Sequence, residues 1–349
     1  MALPQTMKAA ILVEQKKPLV IADVGLPQTL EPGQVGVRIQ TSGICGSQIG
    51  EIDGAKGEDR FLPHLLGHEG CGTVVAIGPG VRQVKVDDKV VLHWRKGPGI
   101  EAQPPVYDWN GRRVNAGWVT TFNEYAIVAE NRLTVVPADT DPEIAALFGC
   151  AVTTGFGVVV NNAHATIGES IVVFGAGGVG LNIVQAAAMV SAYPVIAVDL
   201  FDNKLALARS LGATHTINAA SANARDEIRS ILGGAGADIF IDNTGNPAII
   251  EMGYEMVKPQ GRVVLVGVPR KGNTVNLYSL PLHFGKTLTG SHGGEARPES
   301  DIPRYLRLFH DGRLELRSLV TERFSLDRIN DAIDGMRSGR IAGRCMIHL

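Results

Sequence analysis

Cysteine, aromatic side chains and net charge are all scarce in this chain. Four cysteines, at 45, 71, 150 and 345, are too few and too scattered in 349 residues to staple a disulfide scaffold. In a reducing compartment such thiols stay free or bind metal. Aromatics make up 5% of the residues and the net charge is −2, so no overall field draws the chain to nucleic acid or an anionic membrane. Residues 1–7 lack the basic and apolar regions of a signal peptide. The most apolar stretch, residues 171–190, is broken by the glycine turn Gly175-Ala-Gly-Gly-Val-Gly180 before it could span a bilayer. The expectation is a cytoplasmic protein that acts on a small molecule, with no membrane or nucleic-acid partner.

What is present is an apolar fraction of 45% and 42 glycines, a balance that suits an α/β protein with many tight strand–helix turns. The length suits two domains. Residues 7–92 alternate short apolar runs with turns, as in Lys8–Val13, Gln34–Ile39, Gly72–Ile77 and Asp88–Leu92, and read as a β-rich, barrel-like domain. Residues 94–120 hold all three tryptophans among glycines and prolines and read as a long ordered loop. From Glu143 the pattern changes. Strand-like runs at 170–174, 194–199, 214–217, 237–242 and 261–266 alternate with helical ones, which predicts a doubly wound parallel sheet. Residues 275–277 and 286–289 are expected to close its edge. Two amphipathic helices, 302–311 and 326–338, follow, and the chain is expected to return there to the first domain. The predicted division is 1–150 with 293–349, and 151–292.

Gly175, Gly177 and Gly180 lie between a predicted strand and a predicted helix. Gly175 permits the tight turn, Gly177 lets backbone approach a pyrophosphate, and Gly180 allows close helix–strand packing. The helix start at Gly178 and Val179 offers amide donors and a positive dipole end to phosphate. Asp199 ends the next strand 19 residues after Gly180. A carboxylate there accepts from ribose hydroxyls and repels a 2′-phosphate, and Leu200 and Phe201 supply no basic pair, so NAD is expected rather than NADP. Lys204 could reach the same ribose.

Cys45 in Gly43-Ile-Cys-Gly-Ser47, His68 in Gly67-His-Glu-Gly70 and Cys150 in Phe148-Gly-Cys150 form the second constellation. Two thiolates and one imidazole are the protein ligands of a catalytic zinc with one open position. A metal so held can polarise an alcohol oxygen beside a hydride acceptor. Ser47 serves either as first acceptor of the alcohol proton or as a helix N-cap. Glu69 follows His68 and is a candidate supporting group or transient ligand. Cys71 and Cys345 sit in apolar runs and read as core thiols. His93 and Trp94 are candidates for a substrate wall.

On these motifs the chain resembles the zinc-dependent alcohol dehydrogenases of the medium-chain dehydrogenase/reductase superfamily over essentially its whole length. The resemblance implies a GroES-like catalytic domain on 1–150 and 293–349 and a Rossmann NAD-binding domain on 151–292. It also implies zinc on Cys45, His68 and Cys150, a proton relay beginning at Ser47, and NAD held by the glycine loop, Asp199 and Lys204. Val266 and Val268 are expected at the nicotinamide carboxamide and Arg344 at the pyrophosphate. A homodimer or homotetramer is implied as well, paired through the sheet edge. Three departures stand out. The segment 94–118, where many members hold a structural zinc in a four-cysteine lobe, has no cysteine, so one zinc per subunit is expected. Gly50 replaces a relay histidine, and the proton must leave through Glu51, another group or water. Gln48 stands where an aspartate often supports the ligand histidine. The competing readings are a zinc-free reductase of activated double bonds or quinones, and a non-catalytic NAD-binding protein on the same fold.

Overall fold

A computed structural model describes residues 3–349, which fall into two compact units. The first begins with β1 (Thr6–Leu12), β2 (Val20–Gly25), β3 (Gln34–Gly43) and the short helix α1 (Gly46–Ile52). Strands β4 (His64–Leu65), β5 (Glu69–Ile77), β6 (Lys89–His93), β7 (Val106–Trp109), β8 (Arg112–Asn115), β9 (Tyr125–Ala129) and β10 (Leu133–Val135) follow, and then helix α2 (Pro142–Leu147). Strands β1, β2, β7, β8 and β4 close into a barrel. Its core holds Met7, Ile11, Leu65, Tyr107 and Val114, apolar residues at alternate positions that share an inner face.

The hairpin of β7 and β8 corrects the expectation of a loop over 94–120. Asn110 and Gly111 both adopt positive φ, 53° and 78°, as a two-residue type I′ turn requires. Tyr107 pairs with Val114 across it, both buried. Two of the three tryptophans lie outside this hairpin.

The second unit, Ala151–Ala296, opens with α3 (Ala151–Gly157). It continues through β11 (Ile171–Phe174), α4 (Gly178–Met189), β12 (Val195–Asp199), α5 (Asp202–Ser210), β13 (His215–Asn218) and α6 (Ala224–Ile231). Strand β14 (Ala237–Asp242), helix α7 (Pro247–Met256), β15 (Val257–Leu265) and β16 (Thr287–Gly290) complete it. The six strands are all parallel in the order β13-β12-β11-β14-β15-β16, which is the Rossmann order 3-2-1-4-5-6 counted within the unit. Residues 275–277 form no strand, with the Asn276 N–H donating to Glu251 of α7 instead of to the sheet, and β16 alone closes that side of the sheet. The four residues 293–296 belong here and not with the first unit. A turn at Gly293–Glu295 packs on the end of α3 so closely that a Cβ on Gly157 would stand 2.2 Å from the Gly294 oxygen.

The chain then completes the first unit with α8 (Pro298–His310), β17 (Val320–Ser325), α9 (Ile329–Arg337) and β18 (Arg344–His348). Strand β18 lies between β3 and β17 in a sheet ordered β10-β6-β5-β3-β18-β17. Among the described residues, no helix is long and apolar enough to cross a membrane.

Candidate metal centre and dinucleotide loop

Cys45, His68 and Cys150 come from three separate places in the first unit and converge. One ligand atom of each lies within 4.8 Å of the others, the only such cluster among the described residues. Cys45 is the N-cap of α1, held at the end of β3 by the Ile44 N–H, which donates to the Cys345 oxygen on β18 at 3.1 Å. His68 precedes β5 and is aimed by Gly67, whose φ is +95°. A Cβ at Gly67 would lie 2.3 Å from Thr121 Oγ1 and 2.7 Å from the Thr121 nitrogen, so only glycine fits. Cys150 ends the turn after α2, where Asp141 caps the helix by accepting from the Glu143 N–H.

The electrostatics of the cluster belong to two coupled thiols. The hydrogen bond from Cys150 holds the Cys45 thiol well below its usual range, with Arg344 and His68 adding to the effect against burial. The same bond and burial push Cys150 up. Burial disfavours a charged His68, but the Cys45 sulfur and Glu69 outweigh it and raise the imidazole. His68 Nδ1 is engaged by Gln48 Nε2 at 2.7 Å, whereas Nε2 is shut from solvent with no hydrogen-bond partner. Two sulfurs facing one orphaned ring nitrogen are the donor set a zinc dication satisfies.

Glu69 and Arg344 form a buried ion pair beside this set, Nη2 to Oε2 3.4 Å, with 0% and 2% side-chain exposure. Arg344 also donates to the Ile44 oxygen at 2.9 Å. Burial opposes its charge, but Glu69, Cys45 and Cys150 hold it more firmly protonated than usual. Sequence reasoning placed Arg344 at a pyrophosphate and missed its pairing with Glu69. No local signal links residues 275 apart, and only the placement of β18 next to β3 joins them.

Ser47 lies inside the first turn of α1, so the N-cap role goes to Cys45, and the Ser47 Oγ is buried with no hydrogen-bond partner. The Trp94 ring centroid is 6.5 Å from that of His68, which makes the indole a wall of the centre. His93 is no part of that wall. It is 1% exposed, with Nδ1 on the Arg95 oxygen at 2.7 Å and Nε2 on Thr134 Oγ1 at 3.0 Å. Cys71 and Cys345 are fully buried, and burial pushes both thiols up to about 12, as inert core thiols.

In the second unit, the glycine loop joins β11 to α4. Gly175 has φ +98°, and a Cβ on Gly180 would stand 1.9 Å from the Gly175 oxygen. Asp199, at the end of β12, accepts from the Ala176 N–H of this loop at 2.7 Å and from the Leu200 and Phe201 N–H groups at 2.8 and 3.2 Å. Lys204 Nζ lies 3.8 Å from Asp199 Oδ1 and 4.7 Å from the Phe201 ring centre. Gly178 opens α4, followed by Val179, with Gly177 extended as the N-cap. Val266 follows β15 with its N–H on the Asp242 oxygen at 2.8 Å, and Val268 is 50% exposed.

A GroES-like β unit carrying a Cys/His/Cys set, with a Rossmann unit carrying a GxGxxG loop, is the architecture of a zinc-type dehydrogenase. Residues 31–138 match the alcohol dehydrogenase GroES-like domain, and residues 178–311 match the zinc-binding dehydrogenase family. The S-(hydroxymethyl)glutathione dehydrogenase of Paracoccus denitrificans is 31% identical over 95% of this chain and 97% of its own length. An alcohol dehydrogenase zinc-binding domain protein from Burkholderia ambifaria superposes with a TM-score of 0.89 at 30% identity, covering 99% of each chain. The benzyl alcohol dehydrogenase of Acinetobacter calcoaceticus superposes with a TM-score of 0.88 at 29% identity, over 99% of this chain and 100% of its own. The chain belongs to the zinc-dependent alcohol dehydrogenases of the medium-chain dehydrogenase/reductase superfamily.

Proposed function

We propose that this chain oxidises an alcohol, or reduces its carbonyl, with NAD as hydride partner and one zinc held by Cys45, His68 and Cys150. The observation that carries this is the convergence of those three side chains on one point with the His68 Nε2 left unpartnered. Zinc supplies Lewis-acid polarisation of the substrate oxygen, and the nicotinamide supplies the hydride acceptor. The protein's own groups do the rest. Arg344 balances the charge of the thiolates and Glu69 in a site closed to water. Ser47, two residues after Cys45 and with no hydrogen bond to its Oγ, takes the alcohol proton. Trp94 presents an apolar face beside His68, which suits a primary alcohol with a flat or apolar substituent. Two relatives are named for primary alcohols of different shape, a hydroxymethyl thiol adduct and benzyl alcohol.

The glycine loop from Gly175 to Gly180 and the start of α4 would hold the pyrophosphate of NAD. Asp199 takes the adenosine ribose while it clamps the loop through Ala176, and a 2′-phosphate would meet its charge. Lys204 supports the ribose, and Val266 and Val268 take the nicotinamide carboxamide. The pyrophosphate role of Arg344 rests on the family resemblance alone. Segment 94–118 contributes a hairpin and no thiol, so a second, structural zinc has no ligands there. Four buried cysteines outside any disulfide suit the cytoplasm, and the sheet edge at β16 suits a homodimer or homotetramer.

Metal analysis and a panel of alcohols, benzyl alcohol among them, test the proposal. About one zinc per chain is expected, with NAD reduction that Cys45→Ser or His68→Ala lowers by several orders of magnitude. Unchanged turnover in either variant refutes it.

A further inference from the structure

Gln48 has one carbonyl oxygen and faces two groups that want it. It is 1% exposed. Its Oε1 accepts the Cys45 N–H at 2.8 Å, the limb of a capping box that closes the start of α1. Its Nε2 stands 2.7 Å from His68 Nδ1. A backbone N–H can only donate, so the Cys45 amide turns the Gln48 oxygen toward itself and the NH₂ group toward His68. An NH₂ group can only donate, so in this arrangement Nδ1 accepts and His68 is neutral with its one ring proton on Nε2, although the Cys45 sulfur and Glu69 draw a second proton toward the ring. Nε2 is the nitrogen left to face the sulfurs of Cys45 and Cys150. A ligand nitrogen has to offer a lone pair, and its ring partner then carries the proton and needs an acceptor.

The two demands collide. With metal on Nε2, Nδ1–H requires the Gln48 oxygen, and turning the amide over sets its NH₂ against the Cys45 N–H, donor against donor. A carboxylate would serve both donors, one with each oxygen. We propose that Gln48 is a positioning residue that sets the His68 tautomer, so that zinc entry is coupled to rotation of its amide and to loss of the cap on α1, and the site binds zinc less tightly than its ligand set allows. The proposal rests on zinc occupying the Cys45, His68 and Cys150 site.

Zinc affinity is read on the full chain by competition with a chromophoric chelator, for the wild type, Gln48→Glu and His68→Ala. Gln48→Glu is isosteric and supplies the second oxygen. It is expected to tighten zinc binding on the order of 10–100-fold, the range over which such supporting groups act. Loss of binding in His68→Ala, with no gain in a folded Gln48→Glu, overturns the proposal alone. Binding that survives His68→Ala overturns the ligand assignment beneath it. If Gln48→Glu fails to fold, ¹⁵N-histidine NMR of the wild type decides. His68 Nδ1 is expected to be unprotonated without zinc and protonated with it. A protonated Nδ1 in both states overturns the proposal.

Discussion

At the scale of single residues, the clearest energetic consequence lies with His93, which does no chemistry. Burial, with Arg132 nearby, pushes its imidazole down to about 4, below the usual 6.5, so the folded protein keeps it neutral. Between those two values the unfolded chain binds a proton that the folded one refuses, so stability falls as the pH drops from 6.5 toward 4. By pH 5 the loss is about 2 kcal/mol. Urea unfolding at pH 7.5 and pH 5 should show a smaller acid loss in His93→Gln than in the wild type, and an equal loss contradicts the assignment. The cluster of Cys45, His68 and Cys150 was legible in the sequence because each sits in a short glycine-bounded motif whose chemistry is distinctive. Trp94 against His68 and Arg344 against Glu69 were not, since each depends on which strands lie side by side. His93 looked like a wall residue because it ends β6 next to Trp94, but its ring is buried against the Arg95 oxygen and Thr134 Oγ1.

At the scale of elements, the β11–α4 turn tolerates no side chain where the helix meets the strand. Gly180→Ala would press a methyl group into the Gly175 carbonyl, with Asn243 Nδ2 at 2.9 Å on the same side. Overpacking of this kind costs on the order of 1–3 kcal/mol. The variant should lose stability in denaturant and bind NADH at least tenfold more weakly by fluorescence titration. Its zinc content should be unchanged, because the thiol and imidazole ligands belong to the other unit. The strand–helix alternation was readable from apolar runs and turn residues. The hairpin at 106–115 was readable too, since Asn-Gly between alternating residues is its usual signature, but the surrounding glycines and prolines masked it. Residues 275–277 carry the apolar pattern of a strand without the partner, and nothing local tells the two cases apart.

At the scale of the whole molecule, the parallel sheet ends in an open edge at β16, and just before it Tyr278, Leu280, Leu282 and Phe284 are 71%, 48%, 42% and 68% exposed. An open edge beside apolar side chains invites another chain. Light scattering should report a dimer or larger assembly for the wild type and a smaller species for the double variant Tyr278→Asp, Phe284→Asp. A monomeric wild type removes the proposed assembly. That the polypeptide leaves the first unit and returns to it was legible from the order of the runs. Which strand receives the return, β3 pairing with β18, was settled only by packing.

That late return has a consequence for biosynthesis. Domains tend to fold as they emerge from the ribosome. Residues 151–296 have all their strands in hand before residues 297–349 are translated. The thiol- and imidazole-bearing half must wait for β18, because Arg344 and the Cys345 carbonyl, the counter-charge and the backbone tether of that pocket, are made only after the whole second unit. A nascent chain stalled between residues 297 and 343 would hold a finished nucleotide fold and an unassembled metal cradle.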